Sequence, residues 1–395
     1  MVVAGSAARP QLIRAMNELL MLDHIRASGE LSRADLARLS GLAKNTVSLA
    51  LGNLERAGLV RAAGVRTGVP GPAALLYRMN PDAGFVLGLD VGGQYLRGAI
   101  ADFAGVVRAR VSLPARARTG PGRVAALAAL GDRLRDEAGF APGAVGQTVV
   151  GSPGIYDPAR DSLTLSPGLP GWDQPIVPHE LRRVFGAELV LENDVDAAAL
   201  AEQAHGHGRD VPSFAFVSVG TGIGMGLVID GKLHRGAHGA AGEIGFLPVD
   251  DERTDPEIVR RLGGLEAVAS AHGIVQAARR AGMRGPLSAR KVFAAAARGD
   301  ARARAVVEAE AALIARAVCA VIAVADPHLI VLGGGIGQAD AFLDLVSERV
   351  AERAPVLPRL RVSALGDDAV VDGCLAAGAH RLWDRLTAGL APPPS

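Results

Sequence analysis

The sequence predicts an α/β protein in two parts, a small winged helix-turn-helix head at the N-terminus and a larger two-lobed body. Three observations predict it. Residues 32–60 carry the spacing of two short helices that meet at a glycine. Three strand-like apolar runs, within 85–102, 214–233 and 329–346, each end on a cluster of glycines. Residues 1–80 hold ten Arg or Lys against five Asp or Glu, a net of +5, and the overall charge of +1 leaves −4 for the rest. A basic head on a mildly acidic body is the asymmetry expected when only the head meets nucleic acid.

The head is taken as residues 1–80. Residues 17–28 (NELLMLDHIRAS) read as a helix with Leu19, Leu20, Leu22 and Ile25 on one buried face, ended by Gly29. Ser32 with Asp35 three residues on makes a capping-box start for the next helix, in which Leu36 and Leu39 are expected to face inward. Gly41 allows the sharp turn, and a second helix runs from Lys44 to Arg56, stopped by Gly58. Two helices that cross closely need a small residue in the first, glycine in the turn and apolar anchors in the second. Ala37, Gly41, Val47 and Ala50 meet that need. Lys44, Asn45, Thr46 and Ser48 are then free to meet bases and phosphates of double-stranded DNA. The segment 59–80 reads as two strands around a Gly/Pro loop, a wing that would bring Arg61 and Arg66 to the flanking phosphates or minor groove.

The body begins at Phe85. An apolar run, Asp-x-Gly-Gly and a second run read as a hairpin with Asp90 at its turn. Glycines there let backbone N–H groups approach a phosphate, and a carboxylate can hold Mg²⁺. The turns at 220–222 and 333–335 repeat the theme, which suits a nucleotide held between two α/β lobes. Residues 190–203 (VLENDVDAAALAEQ) read as a strand, then Asn193-Asp194, then an Ala-rich helix, and Asp194 at such a strand end is placed as a general base. Two cysteines, Cys319 and Cys374, offer no disulfide framework, and the absence of a leader pattern or of 18 consecutive apolar residues points to a cytoplasmic protein without a membrane partner.

The order of motifs resembles the ROK family of repressors and sugar kinases. DVGGQ (90–94), GSPGIYDP (151–158), LPGWD (169–173), ENDVDAAALAE (192–202), the glycine-patterned stretch 218–245, GGLEAVAS (263–270) and LGGGIG (332–337) carry it. The resemblance implies an actin-like, ribonuclease-H-like body with a first lobe over 84–200, completed by a C-terminal helix at 373–388, and a second over 201–372. It implies sugar contacts at Gly154, Ser166, Asn193, Asp194, Glu243 and Glu266, with Asp194 as the base if the chain is a kinase. It implies nucleotide contacts, if retained, at Asp90, Gly92, Gly93, Gly220, Thr221, Gly222, Gly333, Gly334 and Gly335.

Three departures matter. Gln94 and Tyr95 replace the small hydroxyl residue that follows the second glycine in family kinases. Phe246 replaces the histidine of the family's zinc site, and the stretch up to Gly264 contains no cysteine, so zinc is not expected; Phe246 itself is expected in the core. The wing reads Gly68-Val69-Pro70-Gly71-Pro72 instead of a basic Gly-Arg-Pro loop, which shifts specificity to the helix beginning at Lys44. The leading reading is a sugar-responsive regulator, a homodimer or tetramer on a palindromic operator, with no certain cofactor. The alternatives are an Mg-ATP-dependent sugar kinase with a fused head, and a body that serves only to dimerise.

Overall fold

The computed structural model describes residues 10–66, 73–140, 143–166, 168–249 and 255–390. The head comprises α1 (Pro10–Ser28), β1 (Leu31–Ser32), α2 (Arg33–Ser40), α3 (Lys44–Arg56), β2 (Val60–Arg66) and β3 (Ala74–Met79). Ser32 caps α2 by accepting from the Asp35 N–H, and Asp35 answers to the Ser32 backbone. Gly41 closes α2 at φ 70°, a left-handed conformation that glycine adopts freely. Leu36, Val47, Ala50, Leu51 and Leu54 fill the space between α2, α3 and α1. The strands form a sheet in the order β1-β3-β2, the frame of a wing whose tip, including Gly68–Pro72, lies outside the described residues.

Three expectations for the head need correction. The first helix starts at Pro10, about two turns before residue 17. Leu20 and Leu39 are exposed, and Met21 takes the core place on α1, because the apolar residues of α1 occupy two faces of the helix.

The first lobe contains β4 (Phe85–Val91), β5 (Tyr95–Asp102), β6 (Val107–Pro114), α4 (Gly120–Ala138), β7 (Val145–Ser152), β8 (Ile155–Asp157), β9 (Ser162–Thr164), α5 (Ile176–Phe185), β10 (Val190–Asn193) and α6 (Asp194–His205). Its sheet runs β10-β7-β4-β5-β6, with β10, β7 and β4 parallel. All seven residues of β4 are buried, as a central strand covered on both faces requires.

The second lobe contains β11 (Phe214–Val219), β12 (Ile223–Ile229), β13 (Lys232–Leu233), α7 (Pro256–Leu262), α8 (Gly264–Ala269), α9 (Ala271–Arg280), α10 (Ala289–Ala297), α11 (Ala301–Ala325), β14 (Leu329–Gly333), α12 (Gly334–Gly337), α13 (Phe342–Ala351) and β15 (Arg359–Val362). Its sheet runs β13-β12-β11-β14-β15. The chain then returns through α14 (Ala369–Ala388), which packs on β4 and β7 of the first sheet and crosses α6. Gly373 permits that crossing, since a Cβ there would overlap the Ala197 carbonyl. Farther along α14, Trp383, Leu386 and the following Leu390 pack against the head.

Candidate functional site

At the head, α3 presents Lys44 and Asn45 exposed and Thr46 and Ser48 half-buried. Its N-cap, Ala43, makes no side-chain cap, so the first N–H groups of α3 are left to water or to a phosphate. Leu49, 55% exposed and four residues after Asn45, extends the same face; an apolar side chain there suits a thymine methyl, and a buried-face pattern search passes over it. Arg66 pairs with Asp35 at 3.0 Å, and Arg61 pairs with Asp82 at 2.8 Å, at the root of the wing. The Ser32 hydrogen bonds, with help from Arg66, pull the Asp35 carboxyl down to about 2. Exposed pairs of this kind are weak enough for a phosphate to compete with them.

In the body, Asp90 lies opposite Gly151 on β7, and Ser152 lies opposite Asn193 on β10, so the carboxyl ends of three parallel strands line up on one edge. That edge is where open α/β sheets bind ligands. Asn193 caps α6, its Oδ1 accepting from Val195 N (2.9 Å) and Asp196 N (3.1 Å), while its Nδ2 donates to the Gly154 carbonyl (3.1 Å). Asp194 therefore sits in the first turn of α6, its Oδ1 accepting from Val195 N at 2.9 Å. Burial raises its carboxyl to about 6 against the pull of those backbone N–H groups. Ser166 follows Leu165, which is held at φ 55°, and among the described residues its buried Oγ has no partner. A buried hydroxyl without a partner is costly unless a ligand or water meets it.

From the other lobe, Glu266 on α8 accepts from Ile223 N at 2.8 Å. Gly222 makes room for it, since a Cβ there would stand 2.9 Å from its Oε2. Burial, then repulsion from Asp194 and Glu266, raises the Glu243 carboxyl to about 7. Glu266 is also raised, by burial first. Asp194, Glu243 and Glu266 are thus near enough to feel one another's charge. Two acids outside the expected set join them. Asp196, 4% exposed and with Oδ1 unpaired, is raised to about 8 by burial and by Glu192. Glu192 in turn is held by Arg235 at 2.5 Å. Asp196 is two residues beyond the expected pair, and the NDVD run was its only sequence signal.

The glycine turns meet at the cleft. A Cβ on Gly220 would lie 3.6 Å from Gly335 N, so the turns after β11 and β14 adjoin, and Gly333 ends β14 while Gly334 opens α12. Gly220 N donates to the Gly222 carbonyl, and among the described residues the N–H groups of Thr221 and Gly222 take no partner, which leaves them for a phosphate. Gly92 is required by its turn, where a Cβ would come 2.7 Å from the Tyr95 carbonyl, and Gly93 is exposed beside it. Gln94 and Tyr95 are exposed as well.

Asp90 is not at the turn but inside β4 and buried, and Arg97, its cross-strand partner on β5, pairs with it at 3.4 Å. Burial, then repulsion from Asp194, raises Asp90 to about 7 against the pull of Arg97. The backbone cradle therefore suits phosphate oxygens, but the carboxylate that would hold the cation faces a guanidinium. The residues do not fit a magnesium–nucleotide as a kinase would hold one. Phe246 also departs from expectation: it is 41% exposed, because its backbone is pinned against Gly263 while its ring is left outside the core. Among the described residues no group of three His, Cys, Asp or Glu is placed to hold a metal ion.

Residues 86–381 match the ROK family. The chain belongs to the ROK family. Residues 17–61 match the winged helix-turn-helix DNA-binding family. Over 386 residues the chain is 26% identical to the xylose repressor of Caldicellulosiruptor bescii, covering 92% of this chain and 96% of that protein. It is 34% identical over 281 residues to the N-acetylmannosamine kinase of Citrobacter koseri, covering 70% of this chain and 92% of the kinase. The crystal structure of a ROK family transcriptional regulator, a homolog of the E. coli MLC protein, superposes with a TM-score of 0.75 at 25% identity, over 96% of this chain and 98% of that one. The matches to the two regulators span nearly the whole chain, whereas the kinase match spans 70% of it. Among the described residues no helix is long and apolar enough to cross a membrane.

Proposed function

We propose that this ROK protein is a sugar- or sugar-derivative-responsive transcriptional repressor that acts as a homo-oligomer on a palindromic operator. The head over 1–80 reads DNA, and lobes over 84–200 (with 373–388) and 201–372 close on the effector. Lys44, Asn45, Thr46 and Ser48 meet the major groove, with Arg61 and Arg66 at the flanks. Gly154, Ser166, Asn193, Asp194, Glu243 and Glu266 receive the sugar.

The observation that carries this reading is α14. Just before its start, Asp367 pairs with Arg97 at 3.5 Å, and Arg97 holds Asp90 at the cleft. Arg110 pairs with Asp368 at 3.4 Å and with Asp372. Farther along, 14 residues after Ala369 and so about 21 Å away at 1.5 Å per residue, Trp383 stacks on Phe103 at 5.8 Å and lies under the Arg26 guanidinium of α1 at 4.2 Å. From α1 the contact continues to the reading helix, where Asn53 of α3 donates to Glu18. One rigid element thus touches both the cleft and the head. Lobe closure that shifts α6 or Asp367 moves α14 and, with it, the head. For paired heads that must reach grooves about 34–36 Å apart, a small shift breaks register. Coupling of about 1–3 kcal/mol is typical of such linkage.

The test is a thermal-shift screen of neutral, amino and N-acetylated sugars, followed by binding to DNA from the chain's own upstream region. One sugar should raise Tm by mass action and weaken DNA binding roughly 5–150-fold. Sugar-dependent ADP release from ATP at about 1–100 s⁻¹ would instead favour the kinase reading. Failure to bind upstream DNA in a salt-dependent way would sink the regulator.

A further inference from the structure

Helix α1 has two apolar faces. Ala15, Glu18, Met21, Leu22 and Ile25 are buried against the head, and the Asn53–Glu18 hydrogen bond ties that face to α3. Leu12, Ile13, Met16 and Leu20 are exposed, at 44%, 48%, 60% and 36%. At about 100° per residue the two sets point roughly 170° apart. The outer set is therefore a second seam, diametrically opposite the first.

The pattern of that seam identifies what covers it. Leu12, Met16 and Leu20 are spaced four and four, so the ridge is unchanged by a two-fold axis through Met16. In an antiparallel pair Met16 meets its mate, and each Leu12 meets the other copy's Leu20. Ridges of this i, i+4 type interlock with axes about 8–10 Å apart. We infer that the outer face of α1 is the contact between two heads of this protein when they sit side by side on DNA.

Two magnitudes bear on this. The exposed fractions leave on the order of 300 Å² of apolar side chain per head, or on the order of 600 Å² for the pair, half of the roughly 1,200 Å² that a stable interface buries. The heads therefore do not dimerise by themselves; they pair when the bodies or the DNA bring them together. Second, the stack α3, α1, mate α1, mate α3 has three spacings of about 8–10 Å, which sets the two reading helices about 24–30 Å apart. That is near one turn of B-DNA, about 34–36 Å, and far from two. The half-sites are then one turn apart.

The inference rests on the two-fold operator reading, and the experiment separates them. Single cysteines are placed in the full-length chain in a Cys319→Ser background; Cys374, the other native thiol, is buried. Mild oxidation is done with and without the upstream DNA fragment. Met16→Cys should form a disulfide-linked dimer, faster with the upstream fragment than with unrelated DNA. Co-expressed, differently tagged Leu12→Cys and Leu20→Cys chains should cross-link to each other. Leu12→Cys alone should not, because its mate would stand about 12 Å away along the helix, beyond disulfide reach. Met16→Asp should keep Tm and oligomeric state while binding the fragment about tenfold more weakly. Upstream DNA binding without the Met16 cross-link, or equal cross-linking of Leu12→Cys alone, overturns the pairing and leaves the regulator intact. Faster thiol labelling of Met16→Cys after deletion of residues 1–9 would show that the chain's own start covers the seam, and also overturns it. Absence of DNA binding by the unmodified chain would count against the regulator reading itself.

Discussion

Replacing Trp383 by Ala should loosen the head without disturbing the second lobe. The ring lies under Arg26 at 4.2 Å and stacks on Phe103 at 5.8 Å, with an interplanar angle of 21°. An exposed cation–π contact contributes about 0.5–1 kcal/mol. An aromatic pair adds about 0.5–1.5 kcal/mol beyond the area it covers. Phe103 follows β5 in the body, so only the Arg26 contact reaches α1, and its loss should lower the free energy that holds α1 on α14 by about 0.5–1 kcal/mol, a factor of about 2–5 in opening. Hydrogen exchange reads this directly, since opening of the head is local and the lobes have their own cores. Amides of Met21–Ile25 should exchange about 2–5-fold faster in the variant, while those of β11 and β14 keep their rates. Trp383→Phe should recover part of the protection. With the link weakened, DNA binding should persist but respond less to the effector. Unchanged exchange in α1, or an undiminished effector response, would refute the reasoning that α14 carries the signal.

Lys44→Ala with Asn45→Ala should weaken upstream DNA binding by about 5–150-fold for each base that is no longer read, whereas Arg61→Ala, already engaged by Asp82, should matter less; titration at two salt concentrations checks both. Asp90, Asp194, Asp196 and Glu243 are all raised, to about 7, 6, 8 and 7, so the folded chain holds protons that the unfolded chain has released. Stability without effector should therefore fall as pH rises from about 4 to 8, and Asp196→Asn should raise Tm most at the upper end; a Tm that climbs over that range contradicts the burial argument. Gly222→Ala places a Cβ against Glu266 and should displace it from Ile223 N, costing effector affinity while the head's DNA binding is kept; calorimetry with the identified sugar measures it.

Much of the fold was legible because its signals are local. The capping box at Ser32–Asp35, the left-handed Gly41, the buried run of β4 and the glycine turns are set by one residue and its near neighbours, so spacing alone identifies them. The Asp90–Arg97 pair was legible in principle, by counting outward from the Gly92 turn, where each step pairs one residue of β4 with one of β5. Phe246 and Leu20 were not, because a helix or turn with apolar residues on two sides does not say which side the core will take.

By itself the sequence determined the winged head, the alternating strands and helices of the body, and the candidate acids Asp194, Glu243 and Glu266. Only the tertiary structure decided that Asp194 is near enough to raise Glu243 and Glu266, that Asp196 is buried among them, and that Arg97 answers Asp90. It also decided that one helix runs from the cleft to the head and that, among the described residues, an outer apolar face of α1 is exposed. The physical reason is range. Propensity, capping and turn chemistry act over a few residues, whereas charge coupling and packing depend on distances in space that the chain order does not contain.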